Sequence, residues 1–168
     1  KLYFVIGLPG EDESDLLAIA ELGRKLVDTA RELGQPKFKV VISCSILVPK
    51  PHTPFQWFRQ ISQVESEAKL NFLKKHVKGR NLELKWHDPA MAELEGILSR
   101  SDRRMASVLL KAHAKGCRLD GWNEHLRFDL WLEALRELNM DAPAWLRERA
   151  SDEILPWHWI DSGVPFSY

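Results

Sequence analysis

The first half of the chain switches between two hydrophobic periods. Leu2, Tyr3, Phe4, Val5 and Ile6 form an unbroken apolar run of aromatic and β-branched residues, which suits a strand buried on both faces of a parallel sheet. Gly7-Leu8-Pro9-Gly10 breaks the run. Behind it, Leu16, Leu17, Ala20, Leu22, Leu26, Val27 and Ala30 keep helical spacing up to Leu33, where Gly34 stops the pattern. Ser14 or Asp12 is placed to cap this helix, and the acidic residues Glu11, Asp12, Glu13 and Asp15 suit its positive dipole end. Gln35-Pro36 is a turn, and Lys37 to Val48 is a second β-rich run. Strand, helix, strand predicts one βαβ unit, with Leu2 to Ile6 and Phe38 to Leu47 as parallel neighbours and a right-handed crossover.

Three prolines in Pro49-Lys50-Pro51-His52-Thr53-Pro54 exclude both helix and ladder, so a stiff loop follows the second strand. Ser62 to Lys78 reads as an amphipathic helix. Asn81 to His87 alternates apolar and polar residues like a third, half-exposed strand. Asp88-Pro89 starts a helix, and the pattern then predicts helices near Met91 to Leu98, Asp102 to Lys115 and Asn123 to Leu138. A further short helix and an irregular aromatic tail complete the chain. The expected class is α/β, with a βα portion over residues 1–88 and a mainly helical region over residues 89–168.

Charge changes this picture little. Lysine plus arginine and aspartate plus glutamate number 24 each, so no net field points to nucleic acid or to an anionic membrane, although a local basic patch can hide in a neutral total. No apolar stretch is long enough to cross a bilayer and no signal peptide precedes the first strand, which gives a soluble, cytoplasmic expectation with no membrane partner. Cys44 and Cys117 are too few for a disulfide framework. Seven tryptophans, most of them in the second half, suggest a core built from few large side chains, and such residues also serve as partner surfaces.

Ligands of α/β folds collect at the carboxyl ends of parallel strands. Here those ends are Gly7 to Glu11 and Val48 to His52. Gly7 and Gly10 allow close backbone approach to a flat ligand, and Pro9 stiffens the turn. By spacing alone, a plain βα turn with routine glycines explains the stretch better than a binding turn does. Other constellations are weaker. His113 and Cys117 have two-ligand metal spacing on one predicted helix, but no further ligands accompany them. Arg103 and Arg104 are candidates for a phosphate or carboxylate on a substrate or partner, against the plainer reading of an Asp102 cap followed by two salt-bridging arginines. His87, in Trp86-His87-Asp88-Pro89, stands at a strand end, yet adjacent strand residues point to opposite faces and do not make a direct His–Asp pair. Trp157, His158 and Trp159 read as packing for the tail. Their acidic neighbours Asp152, Glu153 and Asp161 argue against base stacking.

The run LYFVIGLPGEDESD, a helix, and then VVISCSILVPKPHTPFQW resembles the late part of a radical SAM barrel. In that superfamily the fifth strand typically ends in a GxPGE-type turn and the sixth in an F-x-P-x-x-x-T-P kind of loop. The later stretch from Lys85-Trp86-His87-Asp88-Pro89 to about Leu135, with SDEILPWHWIDSGV, resembles the tail of an uncharacterised B12-binding-type radical SAM family. The resemblance covers nearly the whole chain. Ser101 stands where that family usually has glycine before Asp102-Arg103-Arg104. The resemblance implies the late βαβ part of a partial barrel followed by a helical extension. Ile6, Gly7, Leu8, Pro9 and Glu11, with Val48 and Pro49, would form the adenine and ribose side of an S-adenosylmethionine pocket. Glu11 has an equally good use as a helix-start carboxylate.

The resemblance also implies what this chain lacks. The CxxxCxxC motif that binds the [4Fe-4S] cluster lies early in such barrels and is not in this sequence, so no catalytic or metal residue is expected here. S-adenosylmethionine and the cluster would belong to a parent enzyme, with cobalamin through another domain as a further implication, and none of them is expected on this piece alone. Lys1 then reads as a cut inside a barrel, the missing partner as the barrel's own earlier part, and self-association through the exposed strand as an expected outcome. The alternative reading is a non-catalytic protein- or RNA-interaction module, motivated by the Trp-rich half and Arg103-Arg104.

Overall fold

A computed structural model describes residues 1–163 of the chain. These residues form an α/β protein with one small parallel sheet and several helices. Two compact units are interleaved in sequence. The first comprises Lys1–Leu47 and Ile61–Pro89, the second Val48–Gln60 and the chain from Ala90 onward.

The first unit contains strands β1 (Leu2–Ile6), β2 (Val40–Ile46) and β3 (Leu82–Trp86), and helices α1 (Glu13–Glu32) and α2 (Gln63–His76). The strands lie in sequence order and all pairings are parallel. Leu2 stands opposite Ile42 and Ile6 opposite Ile46, and Val40 opposite Leu82. The expected βαβ unit is present, and a second crossover through α2 repeats it.

Both helices start on reciprocal caps. Asp12 accepts from the N–H groups of Ser14 (2.7 Å) and Asp15 (3.3 Å), while the Asp15 carboxylate accepts from Asp12 N–H. Asp12, not Ser14, is therefore the cap of α1. Ser62 and Glu65 make the same exchange at α2. Helix α1 packs on one sheet face at Gly23, where a Cβ would stand 2.7 Å from Ile42 Cδ1 and 2.9 Å from Leu82 Cδ1. That face holds the buried Val40, Ile42, Cys44, Ile46 and Ile6.

The other face corrects the sequence reading of β1. Tyr3 is 73% and Val5 45% exposed, so the first strand is buried on one face only. An unbroken apolar run satisfies either arrangement, because it contains no polar position to mark the open side. Ser43, Ser45, Glu83 and Lys85 share this face with Tyr3 and Val5, and Lys85 pairs there with Glu83 at 3.3 Å.

The second unit contains a single 3₁₀ turn (Pro54–Trp57) and helices α3 (Pro89–Arg100), α4 (Met105–Ala114), α5 (Phe128–Glu137) and α6 (Ala142–Leu146). Its core joins Leu94, Ile97, Val108, Trp131, Leu135 and Trp145. Two predicted helices are shorter than their patterns suggested. Asp102 to Arg104 is a turn that precedes α4, and 123–127 is turn and irregular chain rather than the first part of α5. The tail beyond residue 163 lies outside the described residues.

Candidate functional site

The β1–α1 turn is built around Glu11. Its two carboxylate oxygens accept from the Gly7 N–H at 2.9 and 3.1 Å, and Oε1 pairs with Lys69 Nζ of α2 at 2.7 Å. The Glu11 side chain is 5% exposed, so a buried charge is matched by one ammonium and one amide. Glu11 therefore closes its own turn. Lys69 is the residue that sequence reasoning missed, since only the fold brings α2 to the end of β1.

Gly7 has φ of 84°, a conformation that side chains other than glycine adopt with strain, and a Cβ there would stand 2.6 Å from Ile61 Cδ1. Ile6 is fully buried beneath the turn, whereas Leu8 is 39% exposed and Pro9 is exposed. The turn thus presents a small apolar surface, Leu8 and Pro9, on a backbone fixed from beneath. Alongside it, Leu47 N–H donates to Ile6 C=O at 2.8 Å, so the carboxyl ends of β1 and β2 are hydrogen-bonded neighbours.

Val48 and Pro49 open the proline-rich segment, which has its own surroundings. Pro49 is buried and its carbonyl accepts from Arg100 Nη1 at 3.2 Å. Lys50 pairs with Glu95, and its carbonyl accepts from Thr53 Oγ1 at 2.8 Å. His52 adopts φ of 58° and donates its N–H to Gln56 Oε1 at 3.0 Å, while its Nε2 is buried with no partner among the described residues.

Arg100, the last residue of α3, organises this second unit. It is fully buried and donates Nε–H to Trp145 C=O (2.9 Å), Nη1–H to Pro49 and Gln56 C=O (3.2 Å each) and Nη2–H to Arg147 C=O (3.0 Å). Burial, reinforced by Arg149 and Arg147, pushes its pKa down to about 10, still well above neutrality. Its own carbonyl accepts from Arg149 Nη2 at 3.0 Å, and Arg149 lies 5.0 Å over the Trp157 ring. Trp157 donates to Gln56 Oε1 at 2.7 Å, as a packed tail requires, but Trp159 is 82% exposed and does not pack.

The remaining sequence candidates are dispersed. Arg104 Nη2 is held by Asp102 at 2.7 Å, and Asp102 also caps the Arg104 N–H at 2.9 Å, the plainer of the two readings of this turn. Arg103 is exposed. His87 extends the sheet by donating its N–H to Cys44 C=O at 2.9 Å. Helix α4 ends at Ala114 and the chain turns at Gly116 (φ 102°), so exposed His113 and buried Cys117 do not share a helix face. Burial pushes the Cys44 thiol up to about 11, with Glu11 adding to it, and Cys117 is raised mainly by burial. Both are free thiols. Among the described residues no cluster of three or more His, Cys, Asp or Glu side chains is placed to hold a metal ion, and no helix is long and apolar enough to cross a membrane.

A 109-residue stretch of the chain is 28% identical to Uncharacterized protein MJ0966 of Methanocaldococcus jannaschii, covering 65% of this chain and 22% of that protein. The chain thus spans about a fifth of the length of the curated relative it matches. No family model matches the chain, and no solved structure does.

Proposed function

We propose that this chain is the late barrel portion, with a helical extension, of a cytoplasmic radical SAM enzyme. The observation that carries the reading is the winding of the first unit. Three parallel strands run in sequence order with α1 on one face and an open face opposite, as in a segment of a (β/α) barrel rather than a doubly wound sheet. In this reading Leu8 and Pro9 provide an apolar wall for the adenine and ribose of S-adenosylmethionine, on a turn that Glu11 and Lys69 hold rigid. The exposed apolar surface and fixed glycine backbone fit a flat heterocycle. The two cysteines, both buried, do not fit the three-thiolate set of a [4Fe-4S] cluster, so the parent's earlier barrel would supply the iron. When bound there, the cluster would supply the electron that cleaves S-adenosylmethionine.

The same reading makes the outer edge of β1, which pairs with no strand among the described residues, the seam with that earlier barrel portion. In the separated chain this edge is a site of self-association. The test uses the protein encoded by the whole reading frame. A CxxxCxxC motif upstream, and consumption of S-adenosylmethionine by the anaerobically reconstituted and reduced protein, are expected. Leu8→Glu should weaken S-adenosylmethionine binding roughly tenfold, about 1.4 kcal/mol, with the iron content unchanged. An upstream sequence without the motif overturns the assignment.

A further inference from the structure

The chain is formally neutral, yet one cavity in the first unit gathers cations. It has a volume of about 860 Å³ and lies where α1 ends and β2 and β3 begin, the end of the sheet opposite to the Gly7 turn. Six basic residues line it: Arg24 and Arg31 from α1, Lys37 and Lys39 from the α1–β2 turn, and Lys78 and Arg80 from the α2–β3 turn. Asp28 is the one carboxylate in the lining, and it is engaged by Arg31 at 3.0 Å. The other five cations form no ion pair among the described residues.

Three separate chain segments contribute, so the cluster is a product of folding and not a run of like charges in the sequence. The fold also pins the two turns together. Asn81 Nδ2 donates to Pro36 C=O at 2.8 Å and Val40 N–H donates to Asn81 C=O at 2.8 Å. Holding several like charges around one concavity costs electrostatic energy that an anion relieves, and a concave wall concentrates the field.

We infer that this cavity binds an oligophosphate, a chain of at least two linked phosphoryl groups such as that of a nucleoside polyphosphate. Five unpaired cations exceed what a single phosphate engages. The volume lies in the range of small-ligand sites. No aromatic ring lines the cavity, so it offers nothing on which the bases of a single-stranded nucleic acid would stack. Lysines and arginines together suit phosphate oxygens, the arginines in bidentate fashion.

Isothermal titration of the full 168-residue chain with inorganic tripolyphosphate, at low and at moderate salt, tests the inference. Saturable binding is expected that weakens at least tenfold as salt screens it, with orthophosphate at least tenfold weaker than tripolyphosphate. Lys78→Glu combined with Arg80→Glu should abolish it while leaving the circular dichroism and melting curve unchanged, both residues being exposed turn positions. Arg103→Glu, on the second unit, should leave binding intact. Absence of saturable binding at low salt overturns the inference. So does equal loss in the Arg103→Glu control, or binding of single-stranded RNA without binding of tripolyphosphate.

Discussion

In the sheet-bearing unit the buried positions are almost all aliphatic, and its one deeply placed ion pair, Glu11 with Lys69, sits at the end of a strand. In the helical unit the largest fully buried side chain is an arginine, which donates to four carbonyl groups and to no carboxylate among the described residues. The sheet's ladders satisfy its own main chain, so apolar side chains suffice to complete it. The loop and single turn of 48–60, and the end of the five-residue α6 with the chain just after it, have no ladder, and their buried carbonyls need donors from elsewhere. A guanidinium with its five N–H groups serves several of them at once. Polar burial in this protein therefore follows the lack of regular structure.

Removing the guanidinium gives the largest expected effect. Arg100→Ala strands the carbonyls of Pro49, Gln56 and Arg147, leaves that of Trp145 only its longer bond from Arg149 (3.5 Å), and should cost more than about 3 kcal/mol. Six of the seven tryptophans belong to the second unit and only Trp86 to the first, so the loss should appear as an early transition in tryptophan fluorescence during urea denaturation. A variant with the wild-type fluorescence midpoint would refute the organising role of Arg100.

Gly96→Ala comes next. A Cβ on Gly96 would run into the Gln60 side-chain amide and stand 2.9 Å from Leu146 Cδ2, and Gln60 is itself fixed by donating to Ala92 C=O at 2.7 Å. A cost of about 1–3 kcal/mol is expected from this overpacking, read by the same denaturation. In the sheet-bearing unit, Glu11→Ala frees the Gly7 N–H and leaves Lys69 without its partner. It should cost about 1–2 kcal/mol, seen as faster hydrogen exchange at Gly7 while the tryptophan signal of the second unit stays in place. An equal shift in both signals would erase the contrast between the units.

The smallest effect is confined to acid. Lys111 and Lys115, each 2.6 Å away, hold the Glu137 carboxyl down to about 2. Because the folded pKa lies below the ordinary carboxylate value, this link stabilises α4 against α5 at pH above about 4.5 and is lost as pH falls toward 2. Glu137→Gln should flatten that part of the stability profile in thermal melts between pH 5 and 2, with no change in its slope above pH 6.

The elements with a strong local signal were legible in the sequence: β1, α1 with its acidic start, β2, and α2 from its amphipathic pattern. Each rests on periodicity or capping, both local properties. The open face of the sheet was legible at β3, whose alternation marks it, but not at β1, because Tyr3 and Val5 are as apolar as their buried neighbours. At the candidate site, the glycine turn was readable and the partners of Glu11 were not, since Lys69 follows it by 58 positions. The arginine that holds the helical unit escaped notice for the same reason. On a helix end, Arg100 looks like any exposed basic residue complementing a dipole, and only its carbonyl partners, 44 to 51 residues away, reveal its burial. The basic cavity combined three segments, each unremarkable by itself.

The bond between Trp157 and Gln56 spans 101 residues of chain. At about 5–20 residues per second of synthesis, roughly 5–20 s separate the making of these two partners. By Pro89 the segments 1–47 and 61–89 of the sheet-bearing unit have both been made, while 48–60 waits for Arg100, then Trp145 and Arg147, and last Trp157. The prolines of Pro49-Lys50-Pro51-His52-Thr53-Pro54 are suited to that delay. They keep the waiting segment from joining the newly formed sheet as a stray strand or winding into a premature helix, so the order of translation is accommodated in the composition of a loop.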